Sequence, residues 1–467
     1  MPEVTSDPAD VTVRLRPVTT DTTREGVHAD QDVDELRGAM VDEVIVDREW
    51  VGMVPREVEA ALRTVPRHLF APEVPLDQAY ADRSIVTKRN ERGAPISSVT
   101  GPHTQAMMLG QLQVAPGQRV LEIGSGGYNA ALLRELVGPE GSVTTLDIDQ
   151  QIADRARACL ATAGYRDVRV VCADGEFGAP EHGPFDRIIV TVGTWDIPPA
   201  WVEQLADGGR LVVPLRTKGL NLSWALEHAD GYLVGRAPMP CGFVPMQGVG
   251  KSRSRSISLH GGEASLWVGE QQVDTTELGE VFSTPRAQAW SGVTVRKREN
   301  FNDLGLWLAR LPGFCLLSAT QDAVDRGLVS PTSPMATPAL LARGSSLAYR
   351  AKLRPVDADG NVRELGAYAH GPDAAESADW FVEQIRIWDR DHRHGPGPRL
   401  TVHPADTPDA ELPSGLVTDR QRTRIVISWP DHTRTTPNST APAEKGVSMD
   451  VTTSSTTDLG WMRSPTV

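Results

Sequence analysis

From about Asp32 the apolar residues of VDELRGAMVDEVI, and then of PREVEAALRTV, recur three and four positions apart. This spacing predicts two helices, the second opened by Pro55. The segment from about Pro66 to Gly101 has no such period and is expected to be irregular. Between Gln118 and Leu215 short apolar runs alternate with helical stretches. QRVLEIG, SVTTLDI, VRVVCAD, FDRIIVTV and GRLVVPL read as strands, NAALLRELVG and QQIADRARACLATAG as helices. Strands flanked by helices at this spacing predict an α/β fold with a parallel sheet and right-handed crossovers.

Beyond about Met239 the texture changes to short strands, such as RSISLH and SLWVGE, with one helix near ESADWFVEQIRIWDRD. The expected organisation has five parts. A disordered tail covers residues 1–30, and helices with a further segment cover 31–117. The α/β core covers 118–239, an α+β region 240–430, and a disordered Ser/Thr/Pro-rich tail 431–467.

Composition narrows the class of protein. Of 467 residues, 40% are hydrophobic and 23% charged, an ordinary soluble balance. The net charge of −14 leaves no basic excess to displace counterions, so a nucleic-acid partner is not expected. The run Arg296-Lys297-Arg298 reads as a solvated face. The four cysteines form no CxxC pair or histidine cluster, so no metal site or disulfide framework is expected, and reduced thiols fit the cytoplasm. The N-terminus lacks a basic start followed by an apolar run, and no apolar stretch is long enough to span a bilayer. Neither a secretory signal nor a membrane partner is expected.

Candidate chemistry gathers at the ends of the core strands. Leu121-Glu122-Ile123-Gly124-Ser125-Gly126-Gly127 closes the first strand with a glycine-rich turn that opens a helix. Such a turn lets the backbone approach a ligand and offers free N–H groups. The next strand ends at Asp147, placed to accept hydrogen bonds from ribose hydroxyls, and the third at Ala173-Asp174-Gly175. Each aspartate alone also suits a helix cap. Together, in order, they imply a nucleoside-containing cofactor. The dinucleotide fingerprint G-x-G-x-x-G is broken by Asn129 at its third glycine, whereas LEIGSG resembles the first motif of class I (Rossmann-like) S-adenosylmethionine methyltransferases.

The resemblance extends over about residues 38–235. VEAALRTVPRHLFAPE, ISSVTGPHTQAMML and DRIIVTVGTWDIPPAWVEQLADGGRLVVPL resemble, in order, segments of the protein-L-isoaspartate O-methyltransferase family. The resemblance implies S-adenosyl-L-methionine as cofactor, held by Glu122, Gly124, Ser125, Gly126, Asp147, Asp174 and Gly175. It implies Thr100 and Ser98 as catalytic hydroxyls, and Ser97, His103 and Trp195 as substrate contacts. The family's active-site serine falls on Thr100. Its small-residue loop after the fourth strand, usually Ala-Ala-Ala-Pro, reads Val192-Gly193-Thr194-Trp195. PISSVTGP, IGSGGYNAAL, VTVGTWDIPPAW and CGFVPMQG together resemble the "methyltransferase, FxLD system" branch, associated with lanthipeptide-type peptide natural products. That branch implies methylation of an aspartate in a modified precursor peptide, the ester then collapsing to a succinimide that opens to isoaspartate. Two other readings stay open: general repair of isoaspartate, and a catalytically weak peptide-binding module. The 240–430 region is expected to serve peptide recognition.

Overall fold

The computed structural model describes residues 25–46, 54–124, 126–251, 255–269, 278, 280–297, 299–333, 336–342 and 345–430. The chain begins with α1 (Glu25–Val46) and α2 (Arg56–Thr64). Acidic Glu57 and Glu59 in the first turn of α2 and Arg63 in its last complement the helix dipole. Helix α1 starts seven residues before the expected Asp32, inside the stretch assigned to the polar tail; residues 1–24 of that tail lie outside the described residues. The segment expected to be irregular holds a 3-10 turn at Arg67–Phe70, a short α3 (Leu76–Ala79) and the hairpin β1 (Ile85–Arg89) and β2 (Pro95–Val99). Asn90 makes the hairpin turn, its Oδ1 accepting from the N–H groups of Arg92 and Ala94. Helix α4 (Pro102–Leu112) follows, with Pro102 at its first position.

The core then runs β3 (Arg119–Ile123), α5 (Tyr128–Val137), β4 (Ser142–Asp147), α6 (Gln150–Thr162), β5 (Arg169–Cys172), β6 (Phe185–Val190), α7 (Pro199–Glu203) and β7 (Leu205–Thr217). These strands pair in parallel in the order β5-β4-β3-β6-β7. The order reverses between β3 and β6, and the crevice outside their carboxyl ends is where such sheets bind ligands. The expected Rossmann-like α/β class is the observed one. Asp149 caps α6, accepting from the backbone of Gln151 and Ile152.

The sheet does not stop at β7. Strands β8 (Leu220–Ala229) and β9 (Tyr232–Pro240) extend it antiparallel. Residues 255–391 then form a second, wholly antiparallel sheet. It comprises β10 (Arg255–Leu259), β11 (Ala264–Gly269), β12 (Ala287–Arg296), β13 (Phe314–Ala319), β14 (Thr337–Ala342), β15 (Ser346–Arg350), β16 (Arg354–Pro355) and β17 (Val362–His370). The short helices α8 (Asp303–Ala309) and α9 (Gln321–Asp325) lie within this stretch. The long α10 (Ala374–Asp391) packs on β12, β15 and β17 through Ala378, Phe381, Val382, Ile385 and Trp388.

The chain finally returns to the first sheet with β18 (Arg399–Pro404), β19 (Leu416–Asp419) and β20 (Thr423–Ser428), completing the ten-stranded order β19-β20-β18-β9-β8-β7-β6-β3-β4-β5. Leu400, Val402, Ile425 and Ile427 share one buried cluster with Leu121, Ile188 and Val213 of the parallel core. The break expected at 239/240 is therefore not a domain boundary, because the last strands complete the core's own sheet. Residues 431–467 lie outside the described residues.

Candidate active site

The crevice at the carboxyl ends of β3 and β6 is roofed by β2. Its inner lobe is lined by Ser97, Ser98, Thr100, Gln105, Glu122, Gly124, Gly126, Tyr128, Asn129, Asp147, Thr191, Val192 and Val244. A second lobe shares Ile96, Gly124, Asp147 and Val192 with it and ends on Ile148, Gly175, Pro245, Met246 and Gln247. The two lobes form one elongated cleft.

Glycine is required along its floor. At Gly124, with φ +95°, a Cβ would stand 2.8 Å from Val192 Cγ1 and 2.9 Å from Thr191 Oγ1; at Gly175 it would meet Ile123 Cγ2 at 2.7 Å. A Cβ on Gly126 would lie 3.3 Å from the Ser98 carbonyl, so the glycine turn and the roof strand nearly touch there. Thr191 fixes the turn by donating from Oγ1 to the Gly124 carbonyl at 2.5 Å.

Glu122 lies fully buried beneath the turn. It accepts from Asn129 Nδ2 at 2.9 Å and from Thr145 Oγ1 at 2.5 Å. Burial pushes its pKa up to about 7, against the pull of those two hydrogen bonds, and nearby Asp147 adds to the rise. Asn129 Oδ1 is buried with no partner among the described residues. Asp147 turns one oxygen to the Asp149 amide at 2.9 Å.

The roof is held at both ends. Lys88 of β1 pairs with Asp149, holding that carboxyl below its ordinary range chiefly by this hydrogen bond. At the other end Arg67, wholly buried, donates to the carbonyls of Ala79 at 2.9 Å, Thr100 at 2.9 Å and Arg83 at 3.1 Å. Between them Thr87 Oγ1 donates to Ser97 Oγ at 2.8 Å.

The structure places Ser97, Ser98, Thr100, Glu122, Gly124, Gly126, Asp147 and Gly175 on the lining of the cleft. Ser125 lies outside the described residues. Three residues differ from expectation. His103 turns away to Asp82, its Nδ1 2.8 Å from Oδ1, and its Nε2 is 2.9 Å from Thr104 Oγ1. Asp174 is closed off, its oxygens taken by the backbone N–H of Glu176 at 3.0 Å and of Val249 at 3.1 Å. Trp195 lines no part of the cleft. Its ring lies 6.0 Å from that of Trp267 and carries the Arg420 guanidinium at 3.7 Å, so it packs the core against the later strands.

Sequence reasoning missed Gln105, Tyr128, Asn129, Thr191 and the 244–247 wall. That wall is built when Gly193 N donates to Val244 O at 2.8 Å and Met246 N to Gly193 O at 2.9 Å. The conspicuous segment CGFVPMQG was the available signal for it. Among the described residues no cluster of His, Cys, Asp or Glu could hold a metal ion, and no helix is long and apolar enough to cross a membrane.

The geometry agrees with the kinship of the chain. The family model described as "Protein-L-isoaspartate(D-aspartate) O-methyltransferase (PCMT)" matches residues 40–251. A protein-L-isoaspartate O-methyltransferase of Methanopyrus kandleri is 40% identical over 196 residues, 41% of this chain and 84% of the relative. One from Methanococcoides burtonii is 39% identical over 189 residues, 40% of this chain and 90% of the relative. A solved protein-L-isoaspartate O-methyltransferase superposes with a TM-score of 0.43 at 20% identity, covering 78% of this chain and 96% of that one. At 40% and 39% identity over 84% and 90% of the Methanopyrus and Methanococcoides proteins, the chain belongs to the protein-L-isoaspartate O-methyltransferase family.

Proposed function

We propose that this protein transfers a methyl group from S-adenosyl-L-methionine to a carboxylate of an isoaspartyl or aspartyl residue in a protein or peptide. The observation that carries this reading is the meeting of two surfaces in one cleft. The roof strand brings the Ser98 carbonyl against Gly126, and Thr100, just past its end, lines the same cleft. The cleft suits the cofactor. Its glycines leave the room a Cβ would fill, Asp147 stands where ribose hydroxyls would be bound, and the unpartnered Asn129 Oδ1 offers an acceptor to an ammonium group. The bound cofactor supplies an electrophilic methyl group.

The acceptor needs no base, since a carboxylate with an ordinary pKa of roughly 3.9 is anionic at neutral pH. Transfer to a carboxylate oxygen would leave the electron pair of the former methyl bond on the cofactor's sulfur and would need no proton to move. What the chain contributes is alignment and exclusion of water. Ser98 and Thr100 hydroxyls orient the acceptor without an ion pair that would tie up its lone pairs. Val192, Val244 and Tyr128 wall off solvent.

Family membership favours isoaspartate as the acceptor. A second reading, ordinary aspartate within one precursor peptide, is favoured by what the chain adds. More than half of it lies outside the sequence match to the Methanopyrus relative, and part of that stretch pins the loop after β6 through Trp195 and Asp196. Matched isoaspartyl and aspartyl peptides, generic and precursor-derived, separate the two by mass spectrometry. Methyl ester on generic isoaspartyl peptides supports repair; ester on a precursor aspartate, then loss of methanol to succinimide, supports maturation. No ester on any of them overturns the proposal.

A further inference from the structure

Gln105 sits in the first turn of α4 and faces the inner lobe beside Thr100 and Tyr128, only 5% exposed. Its orientation is fixed by its neighbour. Arg67 Nη1 stands 3.5 Å from Gln105 Oε1, and a guanidinium has donors only, so the amide oxygen faces Arg67 and Nε2 faces the other way. Among the described residues Nε2 has no acceptor. Gln105 lines the cleft, so its Nε2 is open to donating to a ligand oxygen there.

Arg67 has a matching need. It is wholly buried, and among the described residues no carboxylate lies within ion-pair distance of it. Backbone carbonyls of Ala79, Thr100 and Arg83 take its N–H groups, and its guanidinium lies 4.9 Å from the centre of the Tyr128 ring. Asp82 acts on it at longer range, but Asp82 Oδ1 is already bonded to His103. A buried cation so placed makes the cleft beyond Thr100, Gln105 and Tyr128 attractive to an anion.

We infer that Gln105 is a substrate-binding residue whose Nε2 donates to the acceptor carboxylate, and that Arg67 is the positioning residue that orients this amide and draws the anion in. The inference rests on the carboxyl-methylation reading and adds to it. The arrangement suits a nucleophile. A direct guanidinium fork would engage both carboxylate oxygens, whereas one neutral amide holds one oxygen and leaves the other to attack. The charge acts from behind Thr100 and lowers the cost of bringing the anion into a dry cleft.

The test uses full-length protein and the isoaspartyl or aspartyl peptide that the wild type esterifies. Gln105→Leu, close in volume, should raise KM for that peptide roughly tenfold or more, as expected for one lost hydrogen bond to a charged group. The affinity for S-adenosylhomocysteine, by calorimetry, should stay unchanged. Binding of the already methylated peptide should change little. Gln105→Glu should be worse, because its carboxylate repels the acceptor and pairs with Arg67. Arg67→Lys should show the same split between KM and S-adenosylhomocysteine affinity. An unchanged KM in folded Gln105→Leu overturns the inference, as does an equal loss of S-adenosylhomocysteine affinity. A wild type that esterifies no such peptide overturns the broader reading and this inference with it.

Discussion

Arg422, in the turn between β19 and β20, donates from Nε at 2.5 Å to the buried carboxylate of Glu176, whose neighbour Gly175 forms the floor of the cleft. The Arg422 backbone N–H also binds Asp196 Oδ2 at 2.8 Å, and Thr423 Oγ1 binds Asp196 Oδ1 at 2.5 Å. Residues more than two hundred positions away thus fix both the floor and the loop after β6. Arg422→Ala leaves Glu176 buried and alone, and should cost about 3 kcal/mol of stability in denaturant unfolding. Arg422→Lys should restore part of it. A loss under about 0.5 kcal/mol would place the pair among ordinary surface ion pairs.

Glu122 gives a pH signature. Burial raises its pKa from 4.5 to about 7, so the folded protein holds a proton that the unfolded chain has already released. Its contribution is complete below the unfolded pKa and is lost as pH rises through the folded one. From about pH 5 to about pH 8 this group alone should lower stability by something on the order of 3 kcal/mol. Glu122→Gln keeps an acceptor for Asn129 and does not titrate. Urea unfolding across that range, without cofactor, should show the wild-type curve falling relative to the variant. Parallel curves would refute the buried-proton assignment.

The roof hairpin gives a kinetic prediction. Strand β2 covers the cleft, and among the described residues β1–β2 pairs with no other strand, so the Lys88–Asp149 pair is a tie at its far end. Lys88→Met should speed dissociation of S-adenosylhomocysteine by severalfold in stopped-flow displacement, with little change in melting temperature. Both side chains are about a quarter exposed, so roughly 0.5 M salt should speed the wild type and leave the variant unmoved. Identical off-rates at all salt concentrations would show that the pair does not tie down the roof.

What was legible in the sequence follows from range. The run Gln118–Leu215 declared its strands because each alternation of apolar stretch and helix is local, and the glycine turn needs only its own φ angles. The hairpin at 85–99 was read as irregular because Val86, Lys88 and Arg89 are not buried and its faces do not alternate cleanly. Trp195 was placed in the pocket because its loop lies at the sheet's carboxyl edge. Its actual neighbours, Trp267 and Arg420, lie far along the chain, and nothing near Trp195 announces them. Asp174 was misplaced for the same reason, since the loop at Gly248–Gly250 that closes it is remote in sequence.

Trp195 therefore carries a prediction opposite to that of a pocket wall. Trp195→Ala removes an indole packed between Trp267 and the Arg420 guanidinium and should cost about 3 kcal/mol, at the low end for a large core truncation because the site is half-buried. KM for the peptide acceptor should change less than twofold in protein that remains folded. A large KM change with unaltered melting temperature would return Trp195 to the substrate pocket.

The last prediction concerns truncation, where the C-terminal half would be dispensable if it served recognition alone. A chain ending near residue 240 loses Val244, Pro245, Met246 and Gln247, which form one wall of the cleft. It also loses β18, which pairs with β9 through Leu400 opposite Gly235 and Val402 opposite Leu233. Leu400, Val402, Ile425 and Ile427 leave the cluster that contains Leu121 and Val213, exposing apolar surface worth roughly 1.5–3 kcal/mol for each buried side chain. That sum, about 6–12 kcal/mol, is as large as the ordinary net stability of a domain, about 5–15 kcal/mol, before the wall contacts are counted. The truncated chain should therefore lack a cooperative thermal transition and bind no S-adenosylhomocysteine. A second variant removes only residues 255–391, joining β9's exit loop to β18 by a flexible linker. It keeps the wall and the ten-stranded sheet, and should bind the cofactor product within about tenfold of wild type. If the first truncation folds and binds normally, the late strands are an accessory and not part of the core.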